Sequence, residues 1–575
     1  MIAGNMCYRN SSTRKNYSVD EGKRYLEIVS LASKQLLDVT NRFVHSVTLI
    51  YNPSPFSRLF QRFPNLTSLD LSCFRGDLNM LLLLSRIPRS VSLSRLTSLN
   101  LSNHPTFPTL GLQTILKNTT ISSTLTSLTC SNIGSLHHTH ISFIADSFPF
   151  LQQLDISFPK IIIIEDADTN DHYNNALKLL TQNLSKLRKV NLSGHFYIND
   201  SSFFQLCMNC VFLEEVVMFQ CHFLTRAGLA SAFCQRPTLN SFSLTCHKDV
   251  TSYFIHSLLS LKHLTHLDLS FSCVTDDMLI SLANQDLDLP LPFRKLVLHK
   301  CFGYTYAGIS YLLSRCPSLQ HLDLQNFEFL NVQSFIDLCV FLGDLVSINL
   351  NGCDKLNNAA LFALLKNCPL LTEIHMESTN IGIGARPSLV DLVVYHQVKS
   401  LHLAYNSQLQ DEDITMFSFM FPNMQLLDLS SCDDICIVNV LVTCCNIRHL
   451  KFAFCPQAKL SWTTDVVEAS KLEVLDLSNS RIDGEALYAI SKICPQLLQL
   501  DLVHCYHVTE KGVRLVVENC IYLREINLRS CLKVSTKIVS WMIFSRPSLR
   551  KITAPPQFRP RDCDRKLLFK RCLVC

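Results

Sequence analysis

The chain has 575 residues, with 52 lysines and arginines against 47 aspartates and glutamates, which gives a formal net charge of +5. This small surplus argues against a nucleic-acid-binding protein, since such proteins usually carry a clustered basic excess. Hydrophobic residues make up 47% of the chain, which is ample for a continuous core.

The first 24 residues contain no apolar run as long as that of a signal peptide. The longest aliphatic runs, at 81–84 and 161–164, are too short to span a bilayer. We therefore expect a soluble protein of the cytoplasm and/or nucleus, without a membrane partner, whose 26 cysteines are mostly reduced thiols. Residues 1–22 lack leucine and are rich in Ser, Asn and Arg, so they are predicted to form a disordered tail.

Residues 23–50 form a separate segment that does not follow the pattern of the later chain. Within YLEIVSLASKQLLDVTNRF (25–43), apolar residues recur at helical spacing from Ile28 through Leu36 to Phe43. This spacing predicts a helix or a helical hairpin. Such an element could cover the end of the following array or present a face to a partner.

From about residue 60 to residue 555 the chain repeats the pattern L-x-x-L-x-L-x-x-C, most often every 25 or 26 residues. The nineteen repeats start at Leu66, Leu96, Leu125, Leu151, Leu187, Leu213, Leu239, Leu264, Phe293, Leu319, Leu345, Leu371, Val398, Met424, Ile447, Leu472, Leu497, Leu523 and Leu549.

Each repeat combines a strand pattern with a helix pattern. Leu69 and Leu71 alternate with Asp70, as in a strand with one buried face. The rest of a repeat has helical spacing, and in residues 509–523 it predicts a buried stripe of Val513, Val516, Val517 and Cys520. We therefore predict an α/β solenoid, a curved horseshoe with parallel strands on the concave side and helices on the convex side. Residues 556–575 would form its C-terminal cap.

The repeats resemble the cysteine-containing class of leucine-rich repeats, and residues 25–43 resemble the second half of the F-box of plant F-box/leucine-rich-repeat proteins. The F-box resemblance lies in Leu26, Ser30, Leu31, Ser33 and Lys34, which match the L-x-x-x-S-L-V-S-K run of that family. Two positions depart from it, since Ala32 stands where the family usually has Val and Leu36 where it usually has an aromatic residue. The first half of an F-box, a Leu-Pro start with an apolar helix, is absent from residues 1–20, so the F-box is predicted to be truncated. The adaptor-contacting residues implied by the resemblance are Leu26, Ser30, Leu31, Ser33, Lys34 and Leu36.

The resemblance implies a non-catalytic substrate receptor of an SCF-type (cullin–RING) E3 ubiquitin ligase. Its partners would be the adaptor subunit, the cullin and a protein substrate. The alternative is a protein-interaction scaffold that has lost adaptor binding through its truncated F-box. A small-molecule co-receptor, as in some related plant proteins, is disfavoured because the outward strand positions supply few cations.

The outward strand positions are the predicted substrate contacts, since the leucines between them face the core. We expect no catalytic constellation, no cofactor and no metal site. The candidate contact residues are Val217, Phe219, His375, Glu377, His402, Asp428, Asp476, Asp501 and Arg529.

The final residues, CLVC (572–575), have the C-a-a-X form that directs prenylation, so Cys572 is a candidate lipid site. Basic residues from Arg559 to Arg571 precede it and would assist a single lipid at a membrane surface. The other interpretation is that this tail caps the last repeat through Leu567, Leu568 and Phe569.

Overall fold

In the computed structural model the described residues form two compact units, one from residue 8 to residue 293 with 301–303, and one from residue 294 to residue 574 without 301–303. It describes residues 8–9, 34–49, 57–83, 95–160, 167–221, 223–244, 258, 261–284, 290–384, 386, 392–432, 434–455, 470–559 and 573–574.

The first unit alternates short strands with helices. Its strands are Tyr8–Arg9, Ser46–Leu49, Ser68–Asp70, Ser98–Asn100, Ser127–Thr129, Gln153–Asp155, Lys189–Asn191, Glu215–Met218, Ser241–Leu244 and His266–Asp268. Its helices are Lys34–Arg42, Ser57–Arg62, Leu78–Leu83, Thr109–Asn118, Ile121–Thr124, His138–Ser147, Ala167–Asn183, Asp200–Asn209, Arg226–Gln235 and Asp276–Ala283.

The second unit has the same alternation. Its strands are Lys295–Val297, His321–Asp323, Ser347–Asn349, Glu373–His375, Ser400–His402, Leu426–Asp428, His449–Lys451, Val474–Asp476, Gln499–Asp501, Glu525–Asn527, Lys551–Thr553 and Leu573–Val574. Its helices are Tyr306–Ser314, Val332–Cys339, Asn358–Asn367, Asp411–Met420, Ile437–Thr443, Gly484–Ile493, Glu510–Asn519 and Ile538–Ser545.

The predicted α/β leucine-rich-repeat fold is confirmed, because a strand begins two residues after every one of the predicted repeat starts. Neighbouring strands pair in parallel and in register, so that Leu69 aligns with Leu99 and Leu99 with Leu128. The parallel sheet also contains the strand Ser46–Leu49, which pairs with Ser68–Asp70. The repeat pattern did not reveal that strand, since it lies before the first recognised start.

The core lies between the strands and the helices. In the repeat that contains Glu510–Asn519, the predicted stripe of Val513, Val516, Val517 and Cys520 is fully buried. Burial of such side chains contributes about 25 cal/mol per Å² of apolar surface, and this is the main force that holds neighbouring repeats together. None of the helices in the described ranges has both the length and the apolar character needed to cross a membrane.

The cysteine eight residues after a repeat start makes a hydrogen bond between repeats. Its Sγ donates to the main-chain carbonyl of the residue five after the preceding start, as in Cys505 to Leu477 at 3.0 Å and Cys353 to Leu324 at 3.3 Å. The same bond is made by Cys221, Cys301, Cys432, Cys455 and Cys531. We define these bonds as the thiol ladder.

The thiol ladder explains the recurrence of cysteine better than burial alone. A thiol is small enough for the core and still supplies a weak donor to a buried carbonyl. Cys505 and Cys531 are free thiols that donate to different carbonyls, and burial raises the pKa of Cys505 to about 11. A second set caps helix C-termini and is also buried: Cys210, Cys368, Cys444, Cys494 and Cys520.

Histidine replaces cysteine in two rungs of the ladder. His195 Nε2 lies 2.7 Å from the carbonyl oxygen of Ile156, and His104 Nε2 lies 2.7 Å from that of Leu71. Since a carbonyl only accepts, Nε2 of His195 carries the proton and its Nδ1 has no hydrogen-bond partner. Burial lowers the pKa of His195 to about 4, so this imidazole is neutral at physiological pH.

Candidate ligand-binding face

The second unit presents a row of outward side chains at positions four and six after each repeat start. We define the strand face as His375, Glu377, His402, Asp428, Ser430, Lys451, Asp476, Ser478, Asp501, Asn527 and Arg529. Because the strands pair in register, His375 lies beside His402, His402 beside Asp428, and Asp428 beside Lys451. The predicted contact residues of this unit therefore lie on one face.

The aspartates of the strand face have a structural role that the sequence pattern did not reveal. Asp428 Oδ1 accepts hydrogen bonds from the backbone N–H and the hydroxyl of Ser430 at 3.1 and 2.8 Å. Asp476 makes the same two bonds with Ser478 at 3.0 and 2.7 Å. One carboxylate oxygen thus holds the end of the strand, which leaves the other oxygen for contacts outside the repeat.

The central part of the strand face is a polar cluster around two stacked histidines. The rings of His375 and His402 lie 4.0 Å apart at an interplanar angle of 12°. His375 Nε2 is 3.1 Å from Glu373 Oε1, and His402 Nδ1 is 3.8 Å from Glu377 Oε1. The predictions included His375, Glu377 and His402. They omitted Glu373, because this residue lies two residues after its repeat start, ahead of the positions four and six that were predicted to face outward.

Asp428 continues this cluster into the next repeats. Its Oδ2 lies 3.9 Å from His402 Nδ1 and 3.1 Å from Lys451 Nζ. Burial opposes ionisation of Asp428, but His402 and the Lys451 ammonium hold the pKa of this carboxyl well below its usual range. The hydrogen bond from His375 likewise lowers the pKa of Glu373 to about 2 against the effect of burial. Both carboxylates are therefore charged at neutral pH.

The remaining predicted residues of the second unit extend the face towards its C-terminal repeats. Burial raises the pKa of Asp501, whose Oδ2 accepts a hydrogen bond from Asn527 Nδ2 at 3.0 Å. Arg529 is exposed at the end of this row. This part of the face carries carboxylates and a guanidinium.

A row of left-handed residues runs beside the strand face, one residue beyond the outward pair of each repeat. Tyr405 and Phe454 stand in this row with φ of 62° and 56°, and their side chains are 58% and 51% exposed. A non-glycine residue in this conformation carries roughly 1–2 kcal/mol of backbone strain. The repeat pattern treats the position as variable, so the sequence analysis did not identify these aromatic residues.

Val217 and Phe219 belong to the first unit, and both are half-buried. Val217 lies at a shallow depression of about 270 Å³ whose wall includes the ion pair between Lys189 Nζ and Glu215 Oε2, 2.8 Å apart. The backbone N–H of Phe219 donates to Ser193 Oγ at 3.1 Å. A contact of this Val–Phe pair with a substrate stays a prediction.

The adaptor-contact and lipid predictions fall largely outside the described residues. Leu26, Ser30, Leu31, Ser33 and Cys572 lie there. Lys34 and Leu36 belong to the helix Lys34–Arg42, but their side chains are also outside the description.

Comparison with known proteins agrees with the repeat architecture. A family model described as "Leucine Rich repeat" matches residues 260–283 and 468–491. F-box/LRR-repeat protein 4 of Bos taurus is 25% identical over 285 residues, which cover 44% of this chain and 46% of that protein. DNA repair protein RAD7 of Saccharomyces cerevisiae is 24% identical over 326 residues, 55% of this chain and 47% of that protein. The chain thus spans about half the length of these curated relatives.

Solved structures of similar fold have low sequence identity to this chain. A crystal structure of the yeast Rad7 and Elc1 complex matches 87% of this chain and 96% of its own at 18% identity, with a TM-score of 0.43. A leucine-rich-repeat protein of Leptospira interrogans matches 71% of this chain and 97% of its own at 16% identity, with a TM-score of 0.40.

Proposed function

We propose that the chain is a non-catalytic substrate receptor of a cullin–RING (SCF-type) E3 ubiquitin ligase and binds its protein substrate on the strand face. The observation that carries this proposal is the strand face itself, where buried and half-buried polar and charged side chains from successive repeats lie beside exposed aromatic rings. The similarity to F-box/LRR-repeat protein 4 supports the ligase context. We also assign the repeats to the cysteine-containing class, which the thiol ladder supports.

The shape and chemistry of the strand face favour a protein ligand. Each repeat adds two outward side chains to a parallel sheet whose strands are fixed by main-chain hydrogen bonds. The strand face is therefore extended and pre-organised. Exposed tyrosine and phenylalanine beside charged residues are typical of binding hot spots. In this proposal ubiquitin transfer is the task of partner enzymes, and the receptor contributes by holding the substrate near them.

We expect the double substitution Tyr405→Ala with Phe454→Ala to reduce recovery of bound proteins at least ten-fold, because truncating a hot-spot aromatic costs about 2 kcal/mol or more. The measurement is proximity labelling in cells with the proteasome blocked, followed by binding assays with the recovered proteins. Tyr488→Ala is the matched control, since Tyr488 is 47% exposed but lies in the helix Gly484–Ile493. Equal losses in the control and the double variant would reject the strand face as the substrate site.

Adaptor binding separates the receptor from the alternative function, an interaction scaffold without a ligase. A purified SCF adaptor should bind the full chain and lose binding when residues 25–43 are deleted. Elc1, which occurs in the structure of the Rad7 complex, is a second adaptor to assay. If neither binds while the strand face still captures its partners, the scaffold is the correct function.

A fusion then tests the truncated F-box directly. Adding an intact F-box first half ahead of residue 25 should restore adaptor binding if residues 25–43 retain the family geometry. Binding by the fusion and not by the natural chain would assign the defect to the missing half.

A further inference from the structure

Three residues of the strand face bring together atoms that commonly bind metal ions. His402 and Asp428 are aligned on adjacent parallel strands, and Glu377 follows the strand of the repeat before them. One nitrogen or oxygen atom from each residue lies within 4.8 Å of the others. The residues are 25 and 26 positions apart in the chain, so their proximity depends on the stacking of repeats and not on a local motif.

Two of the three side chains are buried, and the third is partly exposed. The side chains of His402 and Asp428 are 7% and 8% exposed, whereas that of Glu377 is 29% exposed. His402 Nδ1 lies 3.8 Å from Glu377 Oε1 and 3.9 Å from Asp428 Oδ2. Glu377 is therefore the ligand of this set that solvent reaches most easily.

His402 and Asp428 are held by neighbouring side chains, as is usual in built metal sites, and the backbone of Glu377 is also fixed. Ser400 Oγ lies 3.0 Å from His402 Nε2, and His375 stacks on the imidazole ring. Ser430 occupies Asp428 Oδ1, so that Oδ2 remains for a further contact. The backbone N–H of Glu377 donates to Asn351 Oδ1 at 2.8 Å.

We propose that Glu377 Oε1, His402 Nδ1 and Asp428 Oδ2 bind one divalent transition-metal ion, for which zinc is the best match. Zinc takes imidazole and carboxylate ligands at about 2.0–2.2 Å and often keeps a fourth position for water or another ligand. Ligands of a tetrahedral ion lie roughly 3.3–3.5 Å apart at those bond lengths. The distances of His402 Nδ1 from Glu377 Oε1 and Asp428 Oδ2 exceed this spacing by only a few tenths of an ångström. All three atoms lie within 4.8 Å of one another, so rotation of the carboxylate side chains would complete the site around the ion. This proposal does not depend on the proposed ligase function.

Lys451 is the competitor of the ion in this site. Its ammonium lies 3.1 Å from Asp428 Oδ2, and its side chain is 37% exposed. A metal ion would displace this ammonium, which can move towards solvent on its flexible stem. Removing the charge of Lys451 should therefore strengthen metal binding.

Zinc titration of the full chain by calorimetry, with bound zinc counted by equilibrium dialysis, tests the proposal. We expect Glu377→Gln and Asp428→Asn to weaken one zinc site at least ten-fold and to reduce the stoichiometry by one. Asp476→Asn is the matched control, because Asp476 makes the same two bonds to its serine as Asp428 but lies outside the cluster. The difference between variants removes the background from cysteine thiols.

Two further measurements keep the proposal falsifiable. Lys451→Gln should bind zinc several-fold more tightly than the natural chain, and cobalt bound at the site should show d–d absorption without thiolate charge-transfer bands. Thermal melting of the metal-free variants confirms that they fold. The side chain of Glu377 is partly exposed, so Glu377→Gln should leave the fold intact. Unchanged zinc stoichiometry in Glu377→Gln and Asp428→Asn, or an equal loss in Asp476→Asn, would overturn the site.

Discussion

Replacing Leu350 with Asp is expected to lower the free energy of unfolding of its unit by about 4 kcal/mol or more. Leu350 directly follows the strand Ser347–Asn349 and is fully buried. A carboxylate at this position would lie in the core without a partner. It would either remain charged at high cost or take up a proton, and both outcomes also remove the apolar packing of leucine.

Asn351→Asp is the control for this change, because it adds the same side chain one residue later on the outward face. Asn351 Oδ1 accepts the backbone N–H of Glu377 at 2.8 Å, and an aspartate oxygen can keep that bond. We expect a cost below about 1 kcal/mol. Thermal and urea unfolding compare the two variants, and similar melting temperatures would contradict the assignment of inward and outward positions.

The second large effect is a loss of stability in acid that originates at His195. The buried imidazole has a pKa of about 4, whereas an unfolded histidine has one of about 6.5. As the pH falls below about 6.5, His195 takes up a proton in the unfolded chain but stays neutral in the folded chain. The folded state therefore loses stability until about pH 4. The contribution that is present above pH 6.5 and lost by pH 4 is about 3 kcal/mol.

His195→Cys should abolish this dependence, since a thiol does not titrate in that range and can still donate to the Ile156 carbonyl. In the next repeat Cys221 makes the equivalent bond to the Leu192 carbonyl at 3.4 Å, so a thiol fits the neighbouring rung of the thiol ladder. The measurement is urea unfolding of both proteins from pH 7.5 to pH 4. The variant should become more stable than the natural chain as the pH falls, and parallel pH profiles would reject this role of His195.

The fold was predictable because the spacing of apolar residues that specifies it is local and repeats along the chain. The leucines at 69 and 71 and the valines at 513, 516 and 517 show strand and helix spacing directly, and repetition fixed their register. The strand Ser46–Leu49 escaped prediction because one irregular repeat at the start of an array has no preceding unit with which to align. The thiol ladder also escaped prediction, since its acceptors are main-chain carbonyls, and a pattern of side chains does not show which backbone groups accept hydrogen bonds.

The candidate site was predictable only as a set of outward positions. Sequence placed His375, His402 and Asp428 on one face, but the 4.0 Å stacking of the two histidines and the contact of Asp428 with Lys451 depend on side-chain conformations in neighbouring repeats. Likewise, the pattern identified Asp476 as outward without indicating that Ser478 occupies one of its oxygens. The periodic pattern predicts whether a side chain faces inward or outward. The hydrogen-bond and ion-pair partners of that side chain depend on the residues that lie beside it in space.

The left-handed row beside the strand face gives most repeats of this unit one position at which the side chain can change without repacking of the core. Within this single chain the row already holds amide, hydroxyl, ammonium, imidazole and aromatic groups, while φ stays near 60°. Its members include Asn326, Ser378, Tyr405, Ser431, Phe454, Asn479, His504 and Ser530, together with Lys300 at φ 50°. Substitutions in this row therefore change the chemistry of the surface one repeat at a time, without a new fold.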